Sequence, residues 1–119
     1  AELPDVLAEP LYAGRVIGNF ITNACKYGQP GQPVRLRAQA RSDGYVRLSV
    51  VNRGRPLTDA EQARIFEPFF RRPGESAEGT GLGLAICREI GARHGGRVGV
   101  YCPAGKDLVE FYLDLRTVV

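Results

Sequence analysis

Residues 19–27 of this 119-residue chain read NFITNACKY, and they combine an apolar and a polar helix face within nine positions. Apolar residues recur every three to four positions from Leu11 to Tyr27, which predicts an amphipathic helix over that range. Asn19, Asn23 and Lys26 stand at i, i+4 and i+7, so a helix places them within about 60° of one another. Two amides and an ammonium on one stripe suit a hard cation and a phosphate group. A solvated polar face is the other interpretation of this stripe.

A second segment, residues 79–84, reads GTGLGL and leads into another long helix. Backbone N–H groups and the positive end of a helix dipole suit phosphate oxygens. The segment is not a P-loop, because no Gly-Lys-Ser/Thr follows, and Leu84 stands where a dinucleotide fingerprint requires its third glycine. A tight start of a helix is the alternative interpretation. We expect Leu82, Ile86 and Ile90 to form the buried face of this helix.

Between and after these helices the pattern predicts paired strands and one short helix. Strands are expected over 34–40 and 45–51, with the apolar residues of the first strand on one face, and over 97–101 and about 109–115. Thr58 and Glu61 form a capping box for a short helix that ends near Ile65. The order helix, hairpin, helix, helix, hairpin predicts a two-layer α/β sandwich, with a mixed β-sheet and about three helices on one face.

Composition limits the class of protein. Hydrophobic residues make up 44% of the chain and charged residues 24%, which is typical of one globular domain. The net charge of +3 is small and the arginines are scattered, so we expect neither nucleic-acid binding nor direct membrane contact. Three cysteines without metal spacing indicate reduced thiols of a cytoplasmic protein. Because the chain lacks methionine, we expect residues 1–119 to be one domain of a longer protein, either membrane-anchored or soluble.

Three segments together resemble, in order and spacing, the sequence boxes of sensor histidine kinases. Residues 19–27 resemble the N box, residues 66–71 (FEPFFR) the F box, and residues 79–86 (GTGLGLAI) the G2 box. The resemblance covers essentially the whole chain and implies the GHKL, or Bergerat, ATP-binding fold. The F box distinguishes the histidine kinase branch from the gyrase, Hsp90 and mismatch-repair members and from the anti-sigma serine kinases, because those proteins are not marked by such an element.

The resemblance implies roles for individual residues. Asn23, assisted by Asn19, would coordinate Mg²⁺ between the phosphates of ATP. Lys26 would pair with phosphate oxygens, and Tyr27 would lie against the nucleotide. Asn19, Asn23 and Lys26 are therefore the expected catalytic group. The other expected nucleotide-binding residues are Asn52, Gly54, Arg71, Arg72, Thr80, Gly81, Leu82, Gly83 and Leu84.

The F box and the following residues would form a lid over the nucleotide. Backbone N–H groups of residues 81–84 would face the phosphates, and residues 73–80 would be a mobile lid. Three aromatic residues, Phe66, Phe69 and Phe70, would anchor its start. Arg71 or Arg72 would reach the γ-phosphate, or would be ordinary surface charges.

One box departs from the family pattern. The G1 box normally reads Asp-x-Gly-x-Gly, whereas residues 52–56 here read NRGRP. The amide of Asn52 can accept the hydrogen bond that the family's Asp accepts from adenine, but it lacks the charge, a loss on the order of 1 kcal/mol. An amide can also turn and donate, so we expect weak binding and poor discrimination between adenine and guanine. Pro56 fixes φ near −65°, so the adenine pocket is expected to be weaker or differently built.

The function implied is transfer of the ATP γ-phosphoryl group to a histidine on a dimerisation and phosphoacceptor domain, and from there to a response regulator. Because that domain is outside this chain, we expect the isolated domain to be monomeric and not competent for autophosphorylation. His94, the single histidine, is expected to lie at a helix end. Two alternatives stay open: a degenerate nucleotide-binding or docking module without kinase activity, and a GHKL serine kinase of the anti-sigma type.

Overall fold

The computed structural model describes residues 3–72 and 82–118. The expected lid at 73–80, which includes Thr80, lies outside the described residues, and so does Gly81. The described elements, in chain order, are α1 (Pro10–Tyr27), β1 (Arg35–Ala40), β2 (Tyr45–Arg53), α2 (Asp59–Arg64), α3 (Gly83–Arg93), β3 (Arg97–Tyr101) and β4 (Leu108–Arg116). The predicted α/β fold with helices packed on an open sheet is confirmed.

The four described strands form one sheet in the order β1-β2-β4-β3, and every pairing among them is antiparallel. The expected mixed sheet is therefore wrong in this detail. The crossover from β2 through α2 and α3 to β3 does join two strands that point the same way. However, β4 lies between β2 and β3, so these two strands never pair and no parallel ladder forms.

Helix α1 begins and ends at recognisable signals. Pro10 stands in the first turn, where its missing N–H leaves no helix bond broken, and the carboxylate of Glu9 accepts a bond from the N–H of Leu11. At the other end the N–H of Gly28 donates to the oxygen of Ala24 at 2.8 Å. These caps set the helix register, and the register decides which side chains face the sheet.

The apolar side of α1 forms the centre of the core. Val16, Phe20 and Ala24 are almost completely buried, against β2 and β4. The ring of Phe20 lies 5.5 Å from that of Phe111, and Val50 of β2 belongs to the same cluster. Burial of each large side chain stabilises the fold by roughly 1.5–3 kcal/mol. Because this side of α1 is fixed to the sheet, its polar stripe lies at the edge of the helix layer.

Helix α2 is short and strongly capped, as predicted. The hydroxyl oxygen of Thr58 accepts from the N–H of Glu61 at 3.1 Å, and the Glu61 carboxylate accepts from the N–H of Thr58 at 2.9 Å. On either side of the helix, Leu57 is buried and Ile65 packs against the core. The cap and these two contacts orient the segment that follows α2.

Small residues, not large ones, mark the buried side of α3. Gly83, Cys87 and Gly91 recur every four positions, and Cys87 and Gly91 are the buried residues of the helix. A Cβ atom placed at Gly83 would lie 3.5 Å from Asn19 Oδ1, and one at Gly91 would lie 3.2 Å from Val98 Cγ1. Close approach of α3 to α1 and β3 therefore depends on this stripe.

The expected buried face of α3 is only partly correct. Ile90 packs against the core, whereas Leu82 precedes the helix and Ile86 is half-buried outside the core cluster. Apolar periodicity locates large side chains, but this helix approaches its neighbours through its small ones. In the described residues no helix has both the length and the apolar character that a membrane span requires.

The other face of the sheet carries a charged cluster. Asp114 has no exposed surface, and its carboxylate accepts two bonds from Arg47, at 2.8 and 2.9 Å, and one from Arg97 at 2.8 Å. The guanidinium of Arg47 also lies 3.6 Å from the centre of the Tyr112 ring. Because side chains alternate along a strand, Tyr112 and Asp114 face away from the core residue Leu113.

Candidate functional site

An open pocket of about 250 Å³ lies between the second half of α1, the end of β2, the start of α3 and residues 70–72. Nine of the predicted site residues line it: Asn19, Asn23, Lys26, Tyr27, Asn52, Arg71, Arg72, Gly83 and Leu84. Gly54 and Leu82 are outside this lining, and Thr80 and Gly81 are outside the described residues. The three boxes, distant in the sequence, therefore meet at one place.

The polar stripe of α1 forms one wall of the pocket. Asn19 and Asn23 are half-buried, and Lys26 is exposed at the mouth. The Lys26 ammonium lies 6.0 Å from the centre of the Tyr27 ring. The stripe faces a cavity and not only bulk solvent, which favours a binding role over a merely solvated helix face.

The floor of the pocket is apolar. It is made by Val109 and Phe111 of β4, with Leu57, Ile65 and Leu84 around them. A pocket with an apolar floor and a few polar groups at its rim is the usual arrangement for binding a small organic ligand. The floor suits a flat ring, and the amides and the ammonium of α1 suit a charged group beside it.

Asn52 stands at the end of β2, next to this floor. Its side chain is nearly buried, and its Nδ2 donates to the backbone oxygen of Arg53 at 3.3 Å. This bond uses one of the two N–H groups of the amide and turns its NH₂ end toward the backbone of Arg53. Of the two amide orientations that the sequence leaves open, the structure favours the acceptor.

Gly54 packs against the side chain of Asn52 and the end of α1. Its N–H donates to the oxygen of Asp107 at 3.0 Å. A Cβ atom at Gly54 would lie 3.1 Å from Asn52 Nδ2 and 3.1 Å from the oxygen of Tyr27. Glycine is therefore required here for close packing of the loop beside α1, and not for direct contact with the cavity.

The two arginines after the F box have different surroundings. Arg71 is exposed at the pocket. The side chain of Arg72 is only 10% exposed, and it donates to the oxygens of Arg55 and Pro56 and to the carboxylate of Glu61. Arg71 therefore lies at the surface of the pocket, whereas Arg72 is part of its wall.

The three aromatic residues of the F box differ in their burial and their contacts. The ring of Phe66 meets that of Phe111 edge to face at 6.1 Å, and Phe70 lines the pocket under the guanidinium of Arg64. Phe69 is 70% exposed and has a φ of 65°, a conformation rare for a residue with a bulky side chain. Phe66 and Phe70 therefore fix the start of the segment, as expected, whereas the expectation that Phe69 anchors it is wrong.

Cys87 is a residue near the site that the sequence analysis did not single out. It is fully buried beneath Asn19, and its thiol lies 3.8 Å from the oxygen of Val16. Burial raises the pKa of Cys87 to about 11, against the opposing effect of the Asn19 side chain. The thiol stays protonated at neutral pH, so Cys87 is a packing residue. Its spacing of four from Gly83 and Gly91 is the signal that could have identified it.

The side chains of the pocket could bind Mg²⁺ only together with a bound molecule that supplies further oxygen atoms. The described residues contain no group of three or more His, Cys, Asp or Glu that could hold a metal ion. Asn19 and Asn23 instead offer neutral amide oxygens in the pocket wall. Mg²⁺ prefers oxygen ligands and is usually held by few protein groups plus the phosphates of a substrate. The amide pair therefore suits a metal that enters with a phosphorylated ligand.

Proteins of known class resemble this chain over most of its length. The sequence profile described as histidine kinase-, DNA gyrase B- and HSP90-like ATPase matches residues 8–117. The chain is 37% identical over 114 residues to the alginate biosynthesis sensor protein KinB of Pseudomonas aeruginosa, which covers 96% of this chain and 19% of KinB. It is 36% identical over 108 residues to the adaptive-response sensory kinase SasA of Prochlorococcus marinus, which covers 89% of this chain and 28% of SasA. The chain thus spans less than a third of either relative.

Solved structures share the fold as well. The mycobacterial sensor histidine kinase MprB superposes with a TM-score of 0.81 at 30% identity, over 94% of this chain and 74% of that one. Full-length ShkA, crystallised in complex with AMPPNP, superposes with a TM-score of 0.80 at 35% identity, over 98% of this chain and 24% of ShkA.

Proposed function

Because the chain belongs to the family of histidine kinase-, DNA gyrase B- and HSP90-like ATPases, we propose that its pocket binds Mg-ATP as the catalytic domain of a sensor histidine kinase. One observation carries the proposal. The polar stripe of Asn19, Asn23 and Lys26 lines the same pocket as Asn52 and the apolar floor of β4. Phosphate-binding and base-binding groups thereby face one cavity.

The phosphate end of the site belongs to α1 and to the start of α3. Asn23 and Asn19 would hold Mg²⁺ through their amide oxygens, and Lys26 would pair with the phosphates. When bound, Mg²⁺ supplies positive charge that neutralises the phosphates and orients the transferable group. Backbone N–H groups at Gly83 and Leu84 would add hydrogen bonds at the positive end of α3, together with Leu82 and with Thr80 and Gly81, and Arg71 would add a further positive charge.

The base end of the site belongs to β2 and β4. An adenine ring would lie on Val109 and Phe111, with Tyr27 at its side. The oxygen of Asn52 would accept a hydrogen bond from the adenine amino group, since the NH₂ of this amide donates to Arg53. Gly54 would support this contact from behind.

The reaction proposed is phosphoryl transfer to histidine. A nitrogen of an imidazole on the protein's dimerisation domain would attack the γ-phosphorus, the bond to the bridging oxygen would break, and ADP would leave. Such transfer depends mainly on positioning and charge neutralisation, which the residues above can supply. A response regulator would then receive the phosphoryl group. In this proposal residues 1–119 form one cytoplasmic domain, monomeric alone and unable to autophosphorylate.

A second candidate function is a nucleotide-binding module without kinase activity. Asn52 and Pro56, where the family has Asp and Gly, favour it. The intact stripe on α1, which would hold Mg²⁺ and the phosphates, favours the kinase. Phosphorylation of a supplied dimerisation domain separates the two candidates, and the identity of the phosphorylated residue separates a histidine kinase from an anti-sigma-type serine kinase.

Calorimetric titration with Mg-ATP and with adenosine tests the binding step. We expect Lys26→Ala to weaken ATP by roughly 1.5–3 kcal/mol, more than tenfold, because it removes a charged hydrogen bond to phosphate. Adenosine affinity should stay within twofold. Lys106→Ala is the matched control, since Lys106 is the other lysine of the chain and lies exposed between β3 and β4. Equal losses for ATP and adenosine would show that Lys26 does not contact phosphate.

A further inference from the structure

Arg72 joins two walls of the pocket that come from different parts of the chain. Its Nη2 donates to the backbone oxygens of Arg55 and Pro56, each at 3.0 Å, and its Nε donates to Glu61 Oε2 at 3.4 Å. The side chains of Arg72 and Glu61 are only 10% and 8% exposed. A long cationic side chain is rarely so enclosed unless its N–H groups are bonded, and here they are bonded to a loop backbone.

Glu61 is the counter-charge of this arrangement. One carboxylate oxygen accepts from the N–H of Thr58 and the other from Arg72. The bond from the Thr58 N–H lowers the pKa of Glu61, and the positive charges of Arg72 and Arg55 act in the same direction. Glu61 is therefore ionised at neutral pH, and it ties Arg72 to the first turn of α2.

The loop that Arg72 holds is bonded at both ends. At one end the N–H of Gly54 donates to Asp107, and at the other end Thr58 belongs to the capping box. Arg55 and Pro56 lie between these two points. Pro56 has no N–H to offer, so its own peptide group can accept a hydrogen bond but not donate one, and Arg72 donates to the oxygens of both Arg55 and Pro56.

Both segments joined by Arg72 supply pocket residues. Arg55 and Leu57 come from the loop, and Phe70 and Arg71 come from the segment that ends in Arg72. Asn52 precedes the loop, at the end of β2. If the bonds of Arg72 are lost, the loop and the F-box segment can separate. The base end of the pocket would then lose its shape, whereas the phosphate-binding stripe on α1 would stay in place.

We propose that Arg72 is a positioning residue that holds the backbone of Arg55 and Pro56 so that the pocket fits a purine ring. This role rests on the proposed function and differs from the phosphate contact that the sequence led us to expect. A guanidinium carries five N–H groups in a rigid plane and can donate to two carbonyl oxygens and a carboxylate at once. Lysine cannot reproduce that geometry, although it keeps the charge.

The binding arm of the test compares adenosine, Mg-ATP and inorganic tripolyphosphate by calorimetry. We expect Arg72→Gln to weaken adenosine and ATP by the same factor, about tenfold, and to leave tripolyphosphate unchanged. Arg72→Lys should restore only part of the loss. Arg93→Gln is the matched control, because it removes a guanidinium from an exposed pair with Glu89 on α3. A loss for tripolyphosphate with adenosine unchanged would make Arg72 a phosphate ligand and overturn the proposal.

A second experiment tests the role of Arg72 without a ligand. In amide NMR spectra of the free protein, Arg72→Gln should shift the signals of residues 54–58 and speed their hydrogen exchange, with residues 16–24 of α1 unchanged. Glu61→Gln, which keeps an acceptor for the cap, should shift the same signals less. Unchanged signals at 54–58 would overturn the positioning role. If the parent binds none of the three ligands, the proposed function fails, and this arm still decides the role of Arg72.

Discussion

Asn23 lies at the middle of the α1 stripe, and its replacement tests the metal assignment. The side chain is half-buried in the pocket wall and is not part of the core cluster. We therefore expect Asn23→Ala to keep the fold and to weaken Mg-ATP by roughly tenfold, because one oxygen ligand of the metal is lost. Nucleotide binding without Mg²⁺ should change much less. The measurement is titration with ATP in Mg²⁺ and in EDTA.

The control for Asn23 is Gln32→Ala, which removes an exposed amide that follows α1. The control should match the parent in both conditions. If Asn23→Ala and the parent show the same ratio of affinities with and without Mg²⁺, Asn23 is not a metal ligand, whatever its effect on ATP itself.

Asn52 carries a prediction that the structure alters. The sequence led us to expect poor discrimination between purines, because an amide can present either end. Since Nδ2 is bonded to the oxygen of Arg53, we now expect the parent domain to prefer ATP to GTP. Asn52→Asp should keep that preference and lower the free energy of unfolding by about 1 kcal/mol, because an oxygen replaces the donor to Arg53.

Two measurements check this expectation for Asn52: competition of GTP against bound ATP, and urea unfolding of both proteins. A parent domain that binds GTP as tightly as ATP would mean that the NH₂ end faces the base. Unchanged unfolding in Asn52→Asp would mean that the bond to Arg53 contributes nothing to stability.

At the scale of elements, β3 and β4 meet through a glycine that a tyrosine covers. A Cβ atom at Gly99 would overlap the hydroxyl oxygen and Cζ of Tyr112. That ring also stacks on the guanidinium of Arg47. We expect Gly99→Ala to displace the ring and to lower the free energy of unfolding by about 1–2 kcal/mol, the loss of one cation–π contact plus side-chain strain.

Gly14→Ala is the matched control for Gly99→Ala. A Cβ atom at Gly14 would meet nothing within 4 Å, and Gly14 is exposed in the middle of α1. Alanine there should raise the free energy of unfolding by roughly 0.5–1 kcal/mol through helix propensity. Urea unfolding measures both variants. If Gly99→Ala and Gly14→Ala change the free energy of unfolding in the same direction and by the same amount, the contact between residue 99 and Tyr112 does not affect stability.

Local signals explain which elements the sequence predicts well. The caps of α1 and α2 depend on residues at most four positions apart, and both helices lie where their patterns place them. Strand β1 shows where such signals fail. Its alternation predicts one covered face, yet all six of its residues are exposed, with Leu36 at 62%. β1 is one of the two edge strands of the described sheet, and the helices pack on β2, β4 and the other edge strand, β3. Alternation cannot tell which strand the helix layer leaves uncovered.

The candidate site, like the fold, could be predicted from the sequence only in part. Helical spacing alone places Asn19, Asn23 and Lys26 on one wall, and the structure has them there. The role of Arg72 was not predictable, because its partners Arg55 and Pro56 lie 17 and 16 positions earlier in the chain. A short-range sequence pattern does not indicate that a side chain donates hydrogen bonds to a backbone segment far away in the sequence.

At the scale of the whole molecule, the cluster around Asp114 links pH to stability. Burial alone would raise the pKa of Asp114, but the hydrogen bonds from Arg47 and Arg97 outweigh burial and hold that pKa below its usual value. The folded state thus binds the proton more weakly than the unfolded chain, whose Asp pKa is about 3.9. The stability contributed by Asp114 is fully present above that value and is lost as the pH falls through the folded pKa.

We therefore expect the free energy of unfolding to fall as the pH is lowered from about 4, and Asp114→Asn to reduce that fall. At pH 7 the variant should be less stable by roughly 1.5–3 kcal/mol, because an amide carries no negative charge and presents an NH₂ group to one of the N–H groups that Arg47 and Arg97 donate to the carboxylate. Urea unfolding at pH 7, 4 and 3 measures both effects without adding salt. Asp107→Asn is the control, since Asp107 is exposed and uses only its backbone oxygen to bind Gly54. If Asp114→Asn and the parent lose the same free energy between pH 4 and 3, the acid sensitivity arises from other carboxylates, such as Asp43 and Glu61, whose pKa values are also lowered in the folded protein.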